Sequence, residues 1–421
     1  MIPAYLQQLR SFHRDVRLFL LAAALQGMSI SGIRAVLFNL YLLRLGYGPE
    51  FVGLASAAGW IALSTCSPIA GAMGTRWGSR RAMLGGFALM IAGTGLLPLA
   101  EAAPTSWQAT WLIVCTMCMY AGLAFYFVNT SVYLMAASEP AQQNQVFALQ
   151  VSLEPLAGFA GSLIGGALPA FFATALGVSS QHPAPYRYPQ FLAALVLIPG
   201  WWALRGARDL RWTHSHGSSS KVSPAPFVLI GVLTIAVMMR IAGRAAVGVF
   251  FNVYLDTELF VPTTVIGALA AFAQLLAAPA ALAVTSAVRR WGPVRTVAVA
   301  SLGMAASILP IALIPHWTAA GLGYVALTAG FAMTTGPLRV FIQRAVAPRW
   351  RATTSGIAMS GVGLTNVAMS LAGGYGVSTV GFREMFLVGA VLTAAGALLF
   401  WSYFRVPRGE FARVSDQVAA E

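Results

Sequence analysis

Charged residues are scarce in this sequence, at 9% of 421 residues, whereas 58% of the chain is hydrophobic. Soluble globular proteins carry about 25% charged residues, because they must cover their cores with polar surface. This shortage excludes a soluble protein of this length. The 42 glycines fit instead the close helix contacts that proteins make in lipid. The composition therefore predicts a multi-pass membrane protein.

Cysteine and lysine are also rare. The three cysteines, Cys66, Cys115 and Cys118, lie in apolar runs. Without a second pair or flanking histidines, they predict neither a disulfide framework nor a metal site. Lysine occurs once, and the other 25 basic residues are arginines, most of them in short loops. We therefore interpret the net charge of +14 as a determinant of membrane topology, and we expect no nucleic-acid partner.

Motifs of catalysis are missing as well. The sequence has no Gly-Lys-Ser/Thr phosphate loop, no nucleophile elbow and no histidine and glutamate set at metal-binding spacing. We therefore expect no enzyme activity, no ATP hydrolysis and no cofactor. The longest loop, 205–225, has no room for a signalling domain, which disfavours a membrane sensor that transports nothing.

Apolar runs long enough to cross a bilayer are abundant. About 20 apolar residues make one span, and charge and turn signals divide the chain into twelve. With twelve spans, both termini lie on the same side; that side then receives nineteen basic residues and the other side three. This asymmetry predicts cytoplasmic termini. The predicted spans are 17–43, 50–73, 82–100, 107–137, 145–173, 190–204, 226–255, 263–285, 296–315, 317–345, 353–375 and 385–404, and the sixth has an alternative start near Tyr186.

Three short segments recur in the second half of the chain, each in the equivalent span. FNLYL at 38–42 recurs as FNVYL at 251–255, RWG at 76–78 as RWG at 290–292, and SLIGG at 162–166 as SLAGG at 370–374. Six is an even number of spans, so the second half enters the membrane in the same direction as the first. The sequence therefore predicts two parallel six-helix repeats.

The loop Gly71-Ala-Met-Gly-Thr-Arg-Trp-Gly-Ser-Arg-Arg81 resembles the signature between helices 2 and 3 of the major facilitator superfamily, roughly G-x-x-x-D-R-x-G-R-R. Thr75 stands where the family has an aspartate that helps a charge latch between the halves, which puts that latch in doubt here. The resemblance implies a gating role, with topological anchoring as the alternative. The candidate gating residues are Gly71, Arg76, Gly78, Arg80 and Arg81, with Arg290 and Gly292 in the second copy.

The resemblance covers essentially the whole chain and implies the fold of that family: an all-α membrane protein of twelve transmembrane helices in two bundles, with substrate bound midway between two rocking halves. We expect an N-terminal bundle at 1–204, a cytoplasmic linker at 205–225 and a C-terminal bundle at 226–421. Span 5 is weakly similar to the family's antiporter signature, and close helix packing is the favoured explanation of its glycines. The candidate packing residues are Gly161, Gly165, Gly166, Gly373 and Gly374.

Five charged residues fall inside predicted spans: Arg34, Glu154, Arg240, Arg244 and Arg339. Charges are costly in lipid, so each is a functional candidate. Arginine binds carboxylate or phosphate through two parallel hydrogen bonds, and the excess of arginine predicts an anionic or zwitterionic substrate. The alternative is structural, with the arginines bonded to backbone carbonyls or paired with Glu154.

Glu154 is the one carboxylate deep in a span, and it precedes Pro155, which removes a helix hydrogen bond. Desolvation favours a protonated carboxyl and a neighbouring arginine favours a carboxylate, so Glu154 is the candidate proton carrier; a static ion pair is the alternative. Polar side chains on spans 1, 4 and 7 are further substrate-binding candidates, with interhelical hydrogen bonds and core packing as the alternative. These are Asn39, Tyr126, Asn129, Tyr133 and Asn252.

The sequence thus favours a monomeric secondary transporter in the plasma or inner membrane, moving a small solute by alternating access, coupled to protons or driven by exchange. Efflux of amphipathic drugs, with Glu154 as the single acid, stays open as the alternative.

Overall fold

The computed structural model describes residues 12–139, 142–209, 226–346 and 350–406, and over these ranges it contains helices and no strands. In lipid every backbone N–H and C=O must be bonded within the segment, which favours helices for a chain this apolar. The twelve helices expected from the sequence are confirmed. They are α1 (Arg14–Arg44), α2 (Pro49–Trp77), α3 (Ser79–Gly95), α4 (Thr105–Ala137), α5 (Gln143–Leu176), α6 (Ala184–Arg205), α7 (Phe227–Thr257), α8 (Thr263–Trp291), α9 (Pro293–Leu313), α10 (Trp317–Ala345), α11 (Arg351–Thr379) and α12 (Phe382–Phe404).

Eleven of these helices are long and apolar enough to cross a membrane. The twelfth is α6, whose 22 residues begin at Ala184, two residues before the alternative start expected near Tyr186. Most of the predicted linker, residues 210–225, lies outside the described residues.

The first helix is not uniform. Residues Gly27–Arg34 of α1 form a π-helical segment between two α-helical ones. Such segments are rare and are frequently found at functional sites. Here the segment ends on one of the predicted buried arginines.

The helices form two compact units. The units follow the two halves of the chain except at the first turns of α2 and of α8, each of which belongs to the unit of the other half. Unit 1 holds α1, α3 to α6, α2 from Ala58 onward, and the start of α8 as far as Ala271. Unit 2 holds α7, α9 to α12, the rest of α8, and the start of α2 as far as Ala57. Each unit therefore includes the first turns of one helix whose remainder lies in the other unit.

Within unit 1, glycines bring α1 and α5 into backbone contact. A Cβ added at Gly161 would lie 2.0 Å from the Met28 carbonyl oxygen, and one added at Gly32 would lie 2.6 Å from the Gly161 Cα. Gly165 meets Ile33 in the same way, with a Cβ 3.0 Å from its Cα. Because only hydrogen fits at these places, the π-helical segment lies directly on α5.

The repeated SLxGG segments at 162–166 and 370–374 contact the starts of α8 and α2, which we call the exchanged helix ends. In unit 1, a Cβ on Gly267 of α8 would lie 2.5 Å from the Gly166 Cα and 2.6 Å from the Ser162 carbonyl oxygen. In unit 2, a Cβ on Gly53 of α2 would lie 3.0 Å from the Gly374 Cα and 2.3 Å from the Ser370 carbonyl oxygen. Gly373 faces α7 instead, where a Cβ would meet the Phe250 ring at 2.4 Å.

The two RWG loops share one backbone conformation. Gly78 separates α2 from α3 with a φ of 96°, and Gly292 separates α8 from α9 with a φ of 76°. Both angles lie in the left-handed region that glycine adopts without strain. The repeat in the sequence therefore marks a repeated one-residue turn.

Adding a single methyl group should separate the glycines that pack from those that do not. Gly161→Ala should destabilise the protein by about 1–3 kcal/mol, because the new Cβ overpacks the contact between α1 and α5. Gly85→Ala is the matched control, since its Cβ meets nothing within 4 Å and alanine favours a helix. Thermal unfolding of both purified variants measures this. Equal midpoints for both variants would contradict the close contact.

Candidate functional site

Arg34 is a deeply buried charge of unit 1. Its side chain is 5% exposed, and the carbon of its guanidinium lies 4.1 Å from the ring centroid of Phe38, one turn further along α1. Its Nε and Nη2 atoms are buried and make no hydrogen bond to the described residues. Because these two N–H groups are buried and have no acceptor among the described residues, the guanidinium carries a desolvation cost that these residues do not compensate.

Glu154 lies on α5 opposite the π-helical segment that ends at Arg34. The Ser31 hydroxyl donates a hydrogen bond to its Oε1 over 3.4 Å, and a Cβ on Gly27 would lie 2.6 Å from its carbonyl oxygen. Over the described ranges no salt bridge joins Glu154 to Arg34 or to any other arginine. Glu154 therefore contacts the segment that carries Arg34, and over the described ranges no ion pair joins the two.

Unit 2 holds two buried or half-buried arginines one turn apart on α7. Arg240 is 3% exposed, and its Nη1 donates to the Thr334 hydroxyl of α10 over 2.8 Å. The Arg244 guanidinium carbon lies 5.3 Å from the ring centroid of Phe331, also on α10. The Nε of each arginine is buried without a hydrogen-bond partner in the described structure.

Room for the Arg244 guanidinium comes from a glycine one turn away. A Cβ at Gly248 would lie 2.7 Å from Arg244 Nη1. Arg339, the remaining arginine expected inside a span, is exposed on α10. Arg339 therefore differs in burial from Arg34 and Arg240, whose side chains are enclosed by the protein.

The polar residues of α4 lie in the core of unit 1. The Tyr126 ring stacks on Phe19 at 6.2 Å and meets Phe87 edge-on at 5.7 Å, while Tyr133 packs on Phe19 at 5.7 Å. Asn129 donates from Nδ2 to the carbonyl oxygens of Ala70 and Phe125 at 3.1 and 3.0 Å. These are contacts of helix packing, but the buried hydroxyls of Tyr126 and Tyr133 make no hydrogen bond to the described residues, so a role of these residues in binding stays a prediction.

Asn39 and Asn252 occupy equivalent places in the repeat. Asn39 is buried on α1 and Asn252 is half-buried on α7. Asn39 follows Arg34 along α1, and Asn252 follows Arg240 and Arg244 along α7. Sequence reasoning had no means of finding Thr334, Phe331 or Ser31, because an isolated threonine, phenylalanine or serine in an apolar span is not distinctive.

The candidate gating residues lie between α2 and α3 or in the adjoining helix ends in unit 1, and at the end of α8 or just after it in unit 2. Gly71 is half-buried at the end of α2, Arg76 and Arg290 are exposed, and Thr75 donates to the Ala72 carbonyl oxygen of its own helix over 2.8 Å. Arg80 bonds to the last carbonyls of α6, and Arg81 pairs with Asp209, which follows α6.

If the buried arginines serve binding and not folding, removing their charge should not harm the fold. Arg34→Met and Arg240→Met should leave the thermal midpoint unchanged or raise the free energy of unfolding by about 1 kcal/mol, because an uncompensated buried charge is removed. Arg383→Met, at an exposed site on α12, is the control. A large loss of stability in the two buried variants alone would assign these arginines to the fold.

The family model of the Major Facilitator Superfamily matches the chain at residues 19–365 and 233–419. No curated protein matches the sequence. Among solved structures, the xylose transporter XylE from E. coli in an inward open conformation is 15% identical, with a TM-score of 0.73 over 95% of this chain and 98% of that one.

Two further structures are similar to the same extent. The nucleoside transporter NupG is 12% identical, with a TM-score of 0.72 over 93% of this chain and 100% of that one. A bacterial homologue of the iron transporter ferroportin is 16% identical, with a TM-score of 0.70 over 93% and 98%. At these identities the likeness establishes the fold alone.

Proposed function

The chain belongs to the Major Facilitator Superfamily, and from that premise we propose that it moves a small anionic or zwitterionic solute by alternating access. The transport would be proton-coupled or exchange-driven, and the chain would act as a monomer in the plasma or inner membrane with cytoplasmic termini. The observation that supports an anionic solute is the state of the buried arginines.

Arg34 and Arg240 retain buried N–H groups without acceptors, and over the described ranges no carboxylate is paired with either. A charge kept in a membrane interior without a partner costs several kcal/mol or more. An oxyanion supplies both the missing charge and the missing acceptors, because carboxylate and phosphate accept two parallel hydrogen bonds from a guanidinium. The cost of burying these arginines would then be offset when solute binds.

Glu154 is the acid that we assign to proton coupling. It is half-buried on α5 and bonded to Ser31 on the segment that ends at Arg34. Because no arginine holds it as a carboxylate in the described structure, its proton occupancy can respond to solvent access and to the position of α1. A carboxyl whose surroundings change during transport can take up and release a proton.

Solute recognition is tested by a ligand stability screen on purified protein, divided among organic anions, sugars and hydrophobic cations. We expect organic anions to raise the thermal midpoint of the wild type. Arg34→Gln and Arg240→Gln should lose this shift, corresponding to a loss of about 2–5 kcal/mol of binding free energy for a charged hydrogen bond.

Arg34→Lys keeps the charge but not the two-pronged geometry, and should recover only part of the shift. Arg383→Gln is the control for loss of one positive charge. A shift given by hydrophobic cations in place of anions would favour drug efflux, and unchanged anion binding in both glutamine variants would exclude the proposed recognition.

Proton coupling is tested separately in proteoliposomes loaded with the anion that the screen identifies. Glu154→Gln should lose accumulation driven by a pH gradient while retaining solute exchange, because glutamine keeps the hydrogen-bonding shape but carries no exchangeable charge. Accumulation equal to that of the wild type would remove Glu154 from the mechanism.

A further inference from the structure

The loop that resembles the family signature contacts the end of α6 and the residues that follow it. Arg81 Nε lies 3.2 Å from Asp209 Oδ2. Arg80 donates from Nε to the Leu204 carbonyl oxygen over 3.2 Å and from Nη2 to that of Arg205. The last carbonyls of a helix have no partner within it, so Arg80 acts as a side-chain cap for α6.

Gly78 fits this arrangement for two reasons. Its φ of 96° requires glycine, and a Cβ built on it would lie 2.5 Å from Asp209 Oδ1. The glycine therefore makes the turn between α2 and α3 and also leaves space for the carboxylate of Asp209. Gly78, Asp209 and the two arginines all belong to unit 1.

The start of α1 holds the same segment from another direction. Asp15 is only 2% exposed, and its Oδ1 accepts a hydrogen bond from the backbone N–H of Arg208 over 3.0 Å. Its Oδ2 lies 3.1 Å from His13 Nδ1. A buried carboxylate bonded to a backbone amide 193 residues away in the sequence fixes the path of the chain at Arg208.

We propose that Asp209 and Asp15 together clasp residues 204–209 onto the loop at 71–81 and onto the start of α1. Asp209 and Asp15 are positioning residues: they orient Arg81 and the chain, and contact no solute. This inference does not depend on the identity of the solute.

The strength of the clasp comes from the set of contacts more than from the ion pair. Arg81 is 65% exposed and Asp209 22% exposed, and an isolated pair at such a site contributes little. The two carbonyls capped by Arg80 and the amide bonded by Asp15 hold the same six residues. Groups that share one ordered segment reinforce one another, because each lowers the entropy that the next must overcome.

Hydrogen exchange of the full-length protein in detergent measures the clasp directly, at the backbone amides of residues 204–209. Asp209→Asn and Arg81→Gln should each speed this exchange about threefold, as expected for a partly exposed ion pair. The double variant should exchange no faster than either single one. Asp15→Ala should produce a larger increase at Arg208, because it removes an acceptor that is almost fully buried.

Two further variants distinguish pairing from a general loss of charge or fold. Arg76→Gln removes an exposed arginine of the same loop and should leave the exchange of residues 204–209 unchanged. Exchanging the charges, with Arg81→Asp and Asp209→Arg combined, should restore slow exchange. The inference is overturned if the single variants exchange like the wild type, or if their effects simply multiply in the double variant.

Discussion

In this protein the requirement that backbone polar groups be bonded inside lipid determines most of the structure. It makes every long apolar run a helix, and it removes the hydrophobic effect as a force between helices, because lipid is as apolar as the side chains. Association must then come from close van der Waals contact, and glycine allows the closest. The contacts Gly32–Gly161, Gly166–Gly267 and Gly53–Gly374 follow from that constraint, and the position of α1 on α5 depends on the first of them.

The same constraint gives meaning to the few charges that remain. A guanidinium in water carries no desolvation cost. Arg34 and Arg240 are buried from solvent and are paired with no acid in the described structure. Packing alone could be achieved more favourably with methionine or leucine at both positions. Their environment is aromatic or hydroxylic: Phe38 covers Arg34 and Thr334 binds Arg240. Such neighbours position a cation without neutralising it, so its charge stays available to a ligand.

The sequence predicted the helices, their number and the repeat well, because each rests on local composition or on identity between two segments. It also identified the buried arginines, since a charge in an apolar run is conspicuous. It could not predict the π-helical segment at 27–34, because GMSISGIR has no feature that distinguishes it from an α-helical stretch. Nor did it predict the exchanged helix ends, because Gly53 and Gly267 are two glycines among 42.

Tyr126, Tyr133 and Asn129 illustrate a different limit. At helical spacing a polar stripe looks the same whether it faces a ligand or another helix. Here the rings pack on Phe19 and Phe87 and Asn129 bonds to the Ala70 carbonyl oxygen, while the buried hydroxyls of both tyrosines make no hydrogen bond to the described residues. Only the packing partners decide between the two, and those come from distant parts of the chain.

Comparison of the two RWG loops shows why the repeat is a poor guide to what each unit does. Both loops turn at a glycine of positive φ, but Arg80 of the first is Val294 in the second. Val294 packs on the apolar cluster of Phe400 and Phe404, where Arg80 caps the carbonyls of α6. A valine cannot donate a hydrogen bond, so the second loop cannot hold the end of α12 as the first holds the end of α6. The duplicated scaffold therefore sets where the loops lie, and single substitutions within it determine what they bind.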